Sequence, residues 1–103
     1  MNLANIQKQF AEKIKFTKGV VVCSAAGRDK GDFQVIMSTE NDFAFVCDGR
    51  YRPLEKIKKK NRKHLFFTNT VLEEKDLSTN KLIRKSLAKF IDACKNQSTV
   101  LKK

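Results

Sequence analysis

The spacing of apolar and polar positions divides the chain into three parts, and the first is helical in pattern. From Leu3 to Ile14, apolar residues recur every three or four positions with charged and amide side chains between them. This period predicts a short amphipathic helix that ends by Phe16. We interpret it as a packing element on the main fold rather than a membrane-surface anchor, because the apolar stripe is narrow and the chain has no Trp.

The period changes at Gly19, where runs of β-branched and aromatic residues begin to alternate with turn residues. The predicted strands are 20–23, 33–37, 42–47, 50–52 and 63–67. The polar residues 38–41 predict a hairpin. Asp48-Gly49 is typical of a type I′ turn, so we expect 50–52 to return antiparallel to the third strand, and Pro53 to end that pairing.

Five short strands joined by tight turns favour a strongly bent antiparallel barrel over a flat sheet with two open edges. We therefore expect a mainly β fold, a small SH3-like barrel with flanking helices. Alternation leaves the buried face of the third strand open: either Phe43, Phe45 and Cys47 or Ala44 and Val46 face the core. We favour a core position for at least one of the two phenylalanines.

The third part begins after the acidic residues 73–76 and again has the helical period. Ser78 is the expected N-cap, and Leu77 is expected to pack on Leu82. The apolar face comprises Ile83, Leu87, Phe90, Ile91 and Cys94. We expect this helix to cover the barrel and end near Lys95, with a frayed tail. The predicted organisation is a single domain, with a helical extension at 1–16, the barrel at 17–70 and the helix and tail at 71–103.

The charge balance indicates a polyanionic partner. The chain has 103 residues, with 22 Lys and Arg against 11 acidic residues and a net charge of +11. Nucleic acid and anionic membrane both fit this balance. No apolar stretch is long enough to span a bilayer, and the first residues do not resemble a signal peptide. We therefore expect a soluble cytoplasmic protein that binds nucleic acid, with no membrane and no small-molecule substrate as partner.

Catalysis, cofactors and metals are not predicted. The three cysteines Cys23, Cys47 and Cys94 are far apart, and His64 is the sole histidine, so neither a disulfide framework nor a zinc site fits. We expect reduced, buried thiols. The sequence contains no triad-type arrangement and no phosphate-binding Walker loop, and we expect no enzymatic activity.

The segment CSAAGRDKGDF, at 23–33, places two of the four glycines around three charged residues. Gly27 and Gly31 let the backbone reverse and permit close approach to a sugar-phosphate chain. Arg28 can grip a phosphate with two hydrogen bonds or stack on a base, and Lys30 supplies a point charge. Asp29 is expected to orient Arg28 or to cap the turn.

A second basic element follows at 50–63, which contains eight basic residues and one acidic residue, Glu55. The basic residues are Arg50, Arg52, Lys56, Lys58, Lys59, Lys60, Arg62 and Lys63. Such a charge density repels itself unless an anion offsets it. Although charge runs are commonly solvated faces, we expect this one to lie beside the glycine-flanked loop. His64 either contacts phosphate or fills a strand edge. Tyr51 and Phe43 are the candidate stacking rings.

The stretch from Gly19 to Gly31, with its Gly-x-Val start and its Ala-Gly-Arg-Asp-Lys-Gly loop, together with the strand 32–37, resembles the KOW motif of large-subunit ribosomal proteins and transcription-elongation factors. With Asp48-Gly49-Arg50, the run at 55–60 and Lys63-His64-Leu65, residues 17–90 are similar to small bacterial KOW-domain RNA-binding proteins. The resemblance implies an SH3-like barrel that contacts RNA through Gly27 to Gly31.

The sequence therefore predicts a protein that binds structured RNA, such as ribosomal RNA, in translation or ribosome assembly, with large-subunit proteins as further partners. The predicted RNA-contact residues are Gly27, Arg28, Lys30, Gly31, Arg50, Arg52, Lys56, Lys58, Lys59, Lys60, Arg62, Lys63 and His64, with Tyr51 and Phe43 for stacking. RNA is favoured over DNA mainly by the resemblance, since no segment has the pattern of a major-groove recognition helix. The alternative is a protein-interaction module that uses the barrel and the amphipathic helices.

Overall fold

The computed structural model describes residues 16–101, and the side chains of residues 16–95. The strands are β1 (Val20–Ser24), β2 (Phe33–Glu40), β3 (Phe43–Cys47), β4 (Lys58–Asn61) and β5 (Leu65–Val71), followed by one helix, α1 (Asn80–Leu101). Short 3₁₀ helices occupy Leu54–Lys56, Arg62–His64 and Glu74–Leu77. The predicted N-terminal helix lies outside the described residues, except for its last residue, Phe16.

The strands form one five-stranded antiparallel sheet in the order β4-β3-β2-β1-β5. The predicted mainly β domain with a C-terminal helix is thus confirmed. In a flat sheet, three strand spacings would separate β4 from β1 by about 14 Å. Lys60 Nζ of β4 nevertheless lies 2.9 Å from the carbonyl oxygen of Ala26, just after β1. The sheet is therefore strongly curled, but β4 and β5 do not pair with each other, so the expected closed barrel is not formed in the described residues.

Each face of the sheet buries its own apolar cluster. The inner cluster, within the curl, contains Val20, Val22, Ile36, Ala44, Val46 and Leu65. The outer cluster, under the helix, contains Val21, Val35, Cys47, Leu77, Ile83 and Leu87. Successive residues of one strand enter different clusters, as the two-residue period of a strand requires. The outer face of the sheet therefore packs against α1, and the curvature of the sheet buries the inner cluster.

The structure answers the question left open for the third strand. Ala44 and Val46 are completely buried, whereas Phe43 and Phe45 are only half-buried and belong to neither cluster. The core position favoured for one phenylalanine is therefore wrong. Both rings lie on the outer face, where α1 covers Cys47 at the end of the strand.

The predicted strand at 50–52 is also wrong. The Asp48 carboxylate accepts hydrogen bonds from the backbone amides of Arg50 and Arg52, each at 2.8 Å. The amides of Asp48 and Gly49 both donate to the Arg52 carbonyl. These local bonds use the donors that a strand would need, so 48–52 closes on itself as a compact loop. The strand that pairs with β3 is instead Lys58–Asn61, inside the basic run.

Three predicted boundaries shift in the structure. The second hairpin turns at residues 41–42, where Asn41 has a φ of 54°, so β2 continues to Glu40. The last strand begins two residues later than predicted, at Leu65, because residues 62–64 form a 3₁₀ turn. The cap of α1 is Thr79, whose Oγ1 accepts from the Leu82 amide at 3.1 Å, one residue after the predicted Ser78.

The helix itself is longer than predicted. It continues through Leu101, past the expected end at Lys95, because residues 95–101 contain neither Gly nor Pro to stop it. Leu77, expected to pack on Leu82, is buried in the outer cluster with Ile83 and Leu87, and Leu82 is not a member of that cluster.

The start of α1 is fixed directly on the loop at 48–52. Gly49 has a φ of +78°, and a Cβ there would collide with the Asn80 carbonyl oxygen, so only glycine fits this approach. Arg84 Nη1 donates to the Gly49 carbonyl at 2.8 Å, and the Leu54 amide donates to Asn80 Oδ1 at 2.8 Å. The helix therefore holds the 48–52 loop in place. Across the described residues, no helix is apolar over a sufficient length to cross a membrane.

Candidate nucleic-acid interface

The glycine-flanked loop between β1 and β2 is held by backbone bonds rather than left open. Gly27 and Gly31 have φ values of +89° and +92°, which side chains other than glycine rarely adopt. The Gly31 amide donates to the Ser24 carbonyl at 2.8 Å, and the Asp32 amide donates to that of Asp29 at 2.9 Å. Arg28, with Lys30, is thereby exposed on a fixed turn.

The Asp29 side chain points into the curled sheet and does not orient Arg28, which was one of its two expected roles, whereas its backbone carbonyl closes the turn by accepting from the Asp32 amide. Its Oδ1 accepts from Ser24 Oγ at 2.7 Å and from Lys60 Nζ at 2.8 Å, and its Oδ2 accepts from Gln34 Nε2 at 2.8 Å. Burial alone would raise the pKa of Asp29. The hydrogen bonds from Lys60, Ser24 and Gln34, with the charge of Lys60, outweigh that effect and hold the pKa well below its usual range.

Lys60 was expected to contact RNA, and the structure corrects this. The residue is 7% exposed, and its ammonium donates to Ser24 Oγ, the Ala26 carbonyl and Asp29. Lys58, two residues earlier on the same face of β4, lies 3.8 Å from Asp29 Oδ2. Because alternate residues of a strand face opposite sides, Lys58 and Lys60 turn inward while Lys59 turns out.

Ser24, Gln34, Asp29 and Lys60 form a polar cluster that sequence reasoning missed; we call it the inner polar cluster. Ser24 and Gln34 are 1% and 0% exposed. One signal was available: Gln34 interrupts the apolar run of β2, which is typical of a polar residue with a buried partner. The inner polar cluster links the base of the glycine-flanked loop to β4, across the curled sheet.

Two predicted segments meet above this cluster. Arg28 and Asp32 of the glycine-flanked loop and Tyr51 and Arg52 of the 48–52 loop line a cavity of about 380 Å³. We call it the loop cavity. Tyr51 is 75% exposed, and the Arg50 guanidinium carbon lies 5.5 Å from the centre of its ring. The structure thus brings an exposed aromatic ring and cations from separate parts of the chain to one opening.

A second cavity, also of about 380 Å³, adjoins the loop cavity and shares Asp32, Asp48 and Tyr51 with it. Arg50 and Arg84 are among its other lining residues. The opening therefore extends from the glycine-flanked loop to the first turns of α1, with guanidinium groups along its length. Arg84 was not among the predicted contacts, because the helical pattern shows only that it leaves the apolar face.

The remaining predicted cations lie elsewhere. Arg62 and Lys63 line a cavity of about 480 Å³ at the β4–β5 junction, and the Arg62 guanidinium carbon lies 5.0 Å from the ring centre of Phe16. Lys59 Nζ lies 4.4 Å from the ring centre of Phe43 on the outer face. Lys56 and His64 are exposed, and the His64 carbonyl accepts from the Ala25 amide at 2.8 Å, beside the loop. The basic run is thus divided among several surfaces and the interior.

The cysteines and potential metal ligands do not form a site in residues 16–95. Burial, with the charge of Asp48 nearby, raises the pKa of Cys47 to about 11, and burial and Asp32 raise the pKa of Cys23. A thiol with a raised pKa is a poor nucleophile and a poor metal ligand. Within the described side chains, His, Cys, Asp and Glu form no group of three that could hold a metal ion.

No family model matches this sequence, and a search among curated proteins returns no match. The resemblance to KOW-domain proteins therefore stays a prediction.

Proposed function

We propose that this protein is an RNA-binding module of the KOW type that binds structured RNA through the loop cavity and its rim. One observation carries the proposal. The glycine-flanked loop and the 48–52 loop, which both carry residues predicted from sequence to contact RNA, lie side by side, with Arg28, Arg52 and the exposed ring of Tyr51 around one opening.

The chemistry of this opening suits RNA. Guanidinium groups bind phosphate with two parallel hydrogen bonds, and exposed aromatic rings stack on unpaired bases. Loops held by backbone bonds present these groups at low entropic cost. The net charge of +11 attracts any polyanion at long range, while the opening determines where it docks.

The fold supports the same proposal. A five-stranded antiparallel sheet that curls around its own apolar cluster is what an SH3-like barrel requires, and the contact of Lys60 with Ala26 narrows the gap between β4 and the end of β1. We propose that this curled sheet is an incompletely closed SH3-like scaffold and that its RNA partner is ribosomal, acting in translation or ribosome assembly.

Direct binding is tested by fluorescence anisotropy with a labelled structured RNA. The test variant replaces Arg28 and Lys30 with Gln. The matched control replaces Lys85 and Lys89, two exposed lysines of α1, with Gln and changes the net charge equally. We expect the test variant to lose roughly ten-fold or more in affinity and the control less than about three-fold. Equal losses would show that only overall charge matters.

The ribosomal partner is tested by sucrose-gradient sedimentation of lysate. We expect the wild type to co-sediment with the large subunit at low salt and to be released in roughly 0.5 M salt. The Arg28→Glu, Lys30→Glu double variant should stay at the top of the gradient. If the wild type itself stays at the top while binding structured RNA in anisotropy, the partner is another RNA.

A second candidate function is a protein-interaction module, and β5 favours it. This strand lies at the edge of the sheet, carries no charged residue, and leaves Phe66 and Val71 66% and 60% exposed. An uncharged edge strand can add a strand from a partner. Replacing Phe66 with Lys would abolish such pairing and leave RNA binding intact.

A further inference from the structure

The loop cavity contains carboxylates as well as guanidinium groups, which distinguishes it from a simple phosphate site. Three carboxylates, Asp29, Asp32 and Asp48, line it together with Arg28 and Arg52. A carboxylate repels a phosphate at short range, so the phosphate belongs at the rim with the cations. What the carboxylates favour inside the cavity is a neutral group that donates hydrogen bonds.

A buried amide indicates the same preference. Gln34 lines the loop cavity and is 0% exposed, so it lies at the floor. Its Nε2 donates to Asp29, but its Oε1 has no hydrogen-bond partner among the described residues. Buried acceptors are nearly always paired in native proteins, so an unpaired one calls for an explanation. This oxygen is sealed from solvent, so it adds negative potential at the floor without contacting the ligand, which again favours a hydrogen-bond donor above it.

The size of the loop cavity limits the ligand. A volume of about 380 Å³ lies at the small end of the range for ligand pockets, enough for one nucleoside and not for a duplex. The Tyr51 ring at its edge offers a stacking surface. RNA-binding proteins commonly read unpaired bases in this way, stacked on an aromatic ring and hydrogen-bonded along the Watson–Crick edge.

We propose that the loop cavity binds one unpaired guanine of the RNA partner. Guanine presents two adjacent donors, N1–H and N2–H, which match the two oxygens of one carboxylate. We assign that carboxylate to Asp32, because Asp48 already accepts from the amides of Arg50 and Arg52, and Asp29 is paired with Lys60. Adenine and cytosine place a ring acceptor beside their amino group, and uracil flanks its single N–H with two carbonyls, so each meets repulsion at a carboxylate. This inference rests on the proposed function, because RNA delivers the base.

The test measures fluorescence anisotropy with three labelled short oligouridines, which carry at their centre a guanine, an adenine or an abasic site. We expect the guanine oligomer to bind roughly ten-fold more tightly than the other two. Asp32→Asn should abolish that preference. The control is Glu40→Gln, an exposed carboxylate at the far end of β2 with the same change in charge, which should preserve it.

The ratio of affinities among the three oligomers separates recognition of the base from an effect of surface charge. If Asp32 only adds negative charge, both variants will bind all three oligomers slightly more tightly and the ratio will not change, which overturns the inference. Equal binding of the three oligomers by the wild type also overturns it, but leaves the RNA-binding proposal standing. If the wild type binds none of the oligomers and no structured RNA, both the inference and the RNA-binding proposal are overturned.

Discussion

Replacing Lys60 with Met should destabilise the fold by about 3 kcal/mol, although the sequence places Lys60 in a surface-like basic run. The ammonium makes three hydrogen bonds, to Ser24, Ala26 and Asp29, and the Asp29 side chain is only 11% exposed. Removing one partner of a buried pair typically costs about 3–5 kcal/mol, because the remaining charge stays buried. We expect the lower end, since Asp29 keeps the donors of Ser24 and Gln34.

The assay is urea unfolding followed by circular dichroism. With a slope of about 1.5 kcal/mol per molar urea, a loss of 3 kcal/mol lowers the midpoint by roughly 2 M. The matched control is Lys59→Met, the outward-facing neighbour on β4. Lys59 is exposed and its ammonium lies over the Phe43 ring, so we expect a loss of about 0.5 kcal/mol.

A double variant isolates the pair. Adding Asp29→Asn to Lys60→Met removes the charge left behind. The free energy of unfolding lost by the double variant should therefore be smaller than the sum of the two single losses, by about 1 kcal/mol or more. If Lys60→Met costs no more than Lys59→Met, or if the two changes are additive, the ammonium of Lys60 is not paired inside the fold and the inner polar cluster is refuted.

Four further outcomes follow from the structure. The pKa of Asp29 is lower in the folded than in the unfolded protein. The stability that the Asp29 carboxylate contributes is therefore complete above about pH 4 and falls as the pH drops further. Below about pH 4, the urea midpoint should change less for Asp29→Asn than for the wild type. Gly49→Ala should cost more than about 2 kcal/mol in urea unfolding, and Gly31→Ala about 1–2, since its Cβ meets no atom within 4 Å; equal losses would contradict this. Peptide mapping after iodoacetamide treatment near neutral pH should find Cys47 unmodified until the protein is unfolded. If about six phosphates are contacted, the affinity for structured RNA should fall about three decades as salt rises from roughly 50 to 200 mM. A nearly constant affinity would exclude contact with that many phosphates.

The sequence was sufficient for the parts of the fold in which one pattern dominates. Val20 to Val22 and the apolar face at Ile83 and Leu87 predicted the first strand and the covering helix, because burial alone sets their period. The strand at 50–52 failed because the Asp48 carboxylate captures backbone amides locally, and a dipeptide signal does not show this competition.

The candidate site was predictable only as a set of segments. The glycine spacing identified the loop with Arg28, and Tyr51 was one of two candidate stacking rings, but their meeting depends on the curl of the sheet. The direction of each lysine in β4 depends on register with β3, which a run of identical side chains cannot reveal. Lys60 was therefore assigned to the surface, although it is part of the interior.

The position of Lys60 changes how mutational surveys of this protein should be read. In a charge-reversal scan across residues 56–63, Lys60 should give the largest apparent loss of the proposed RNA binding, because its ammonium is buried and bonded to Asp29. Taken as a binding map, such a scan would place the centre of the RNA footprint on a residue that is buried inside the fold. Folded fraction has to be measured for every variant before any loss of binding is assigned to contact.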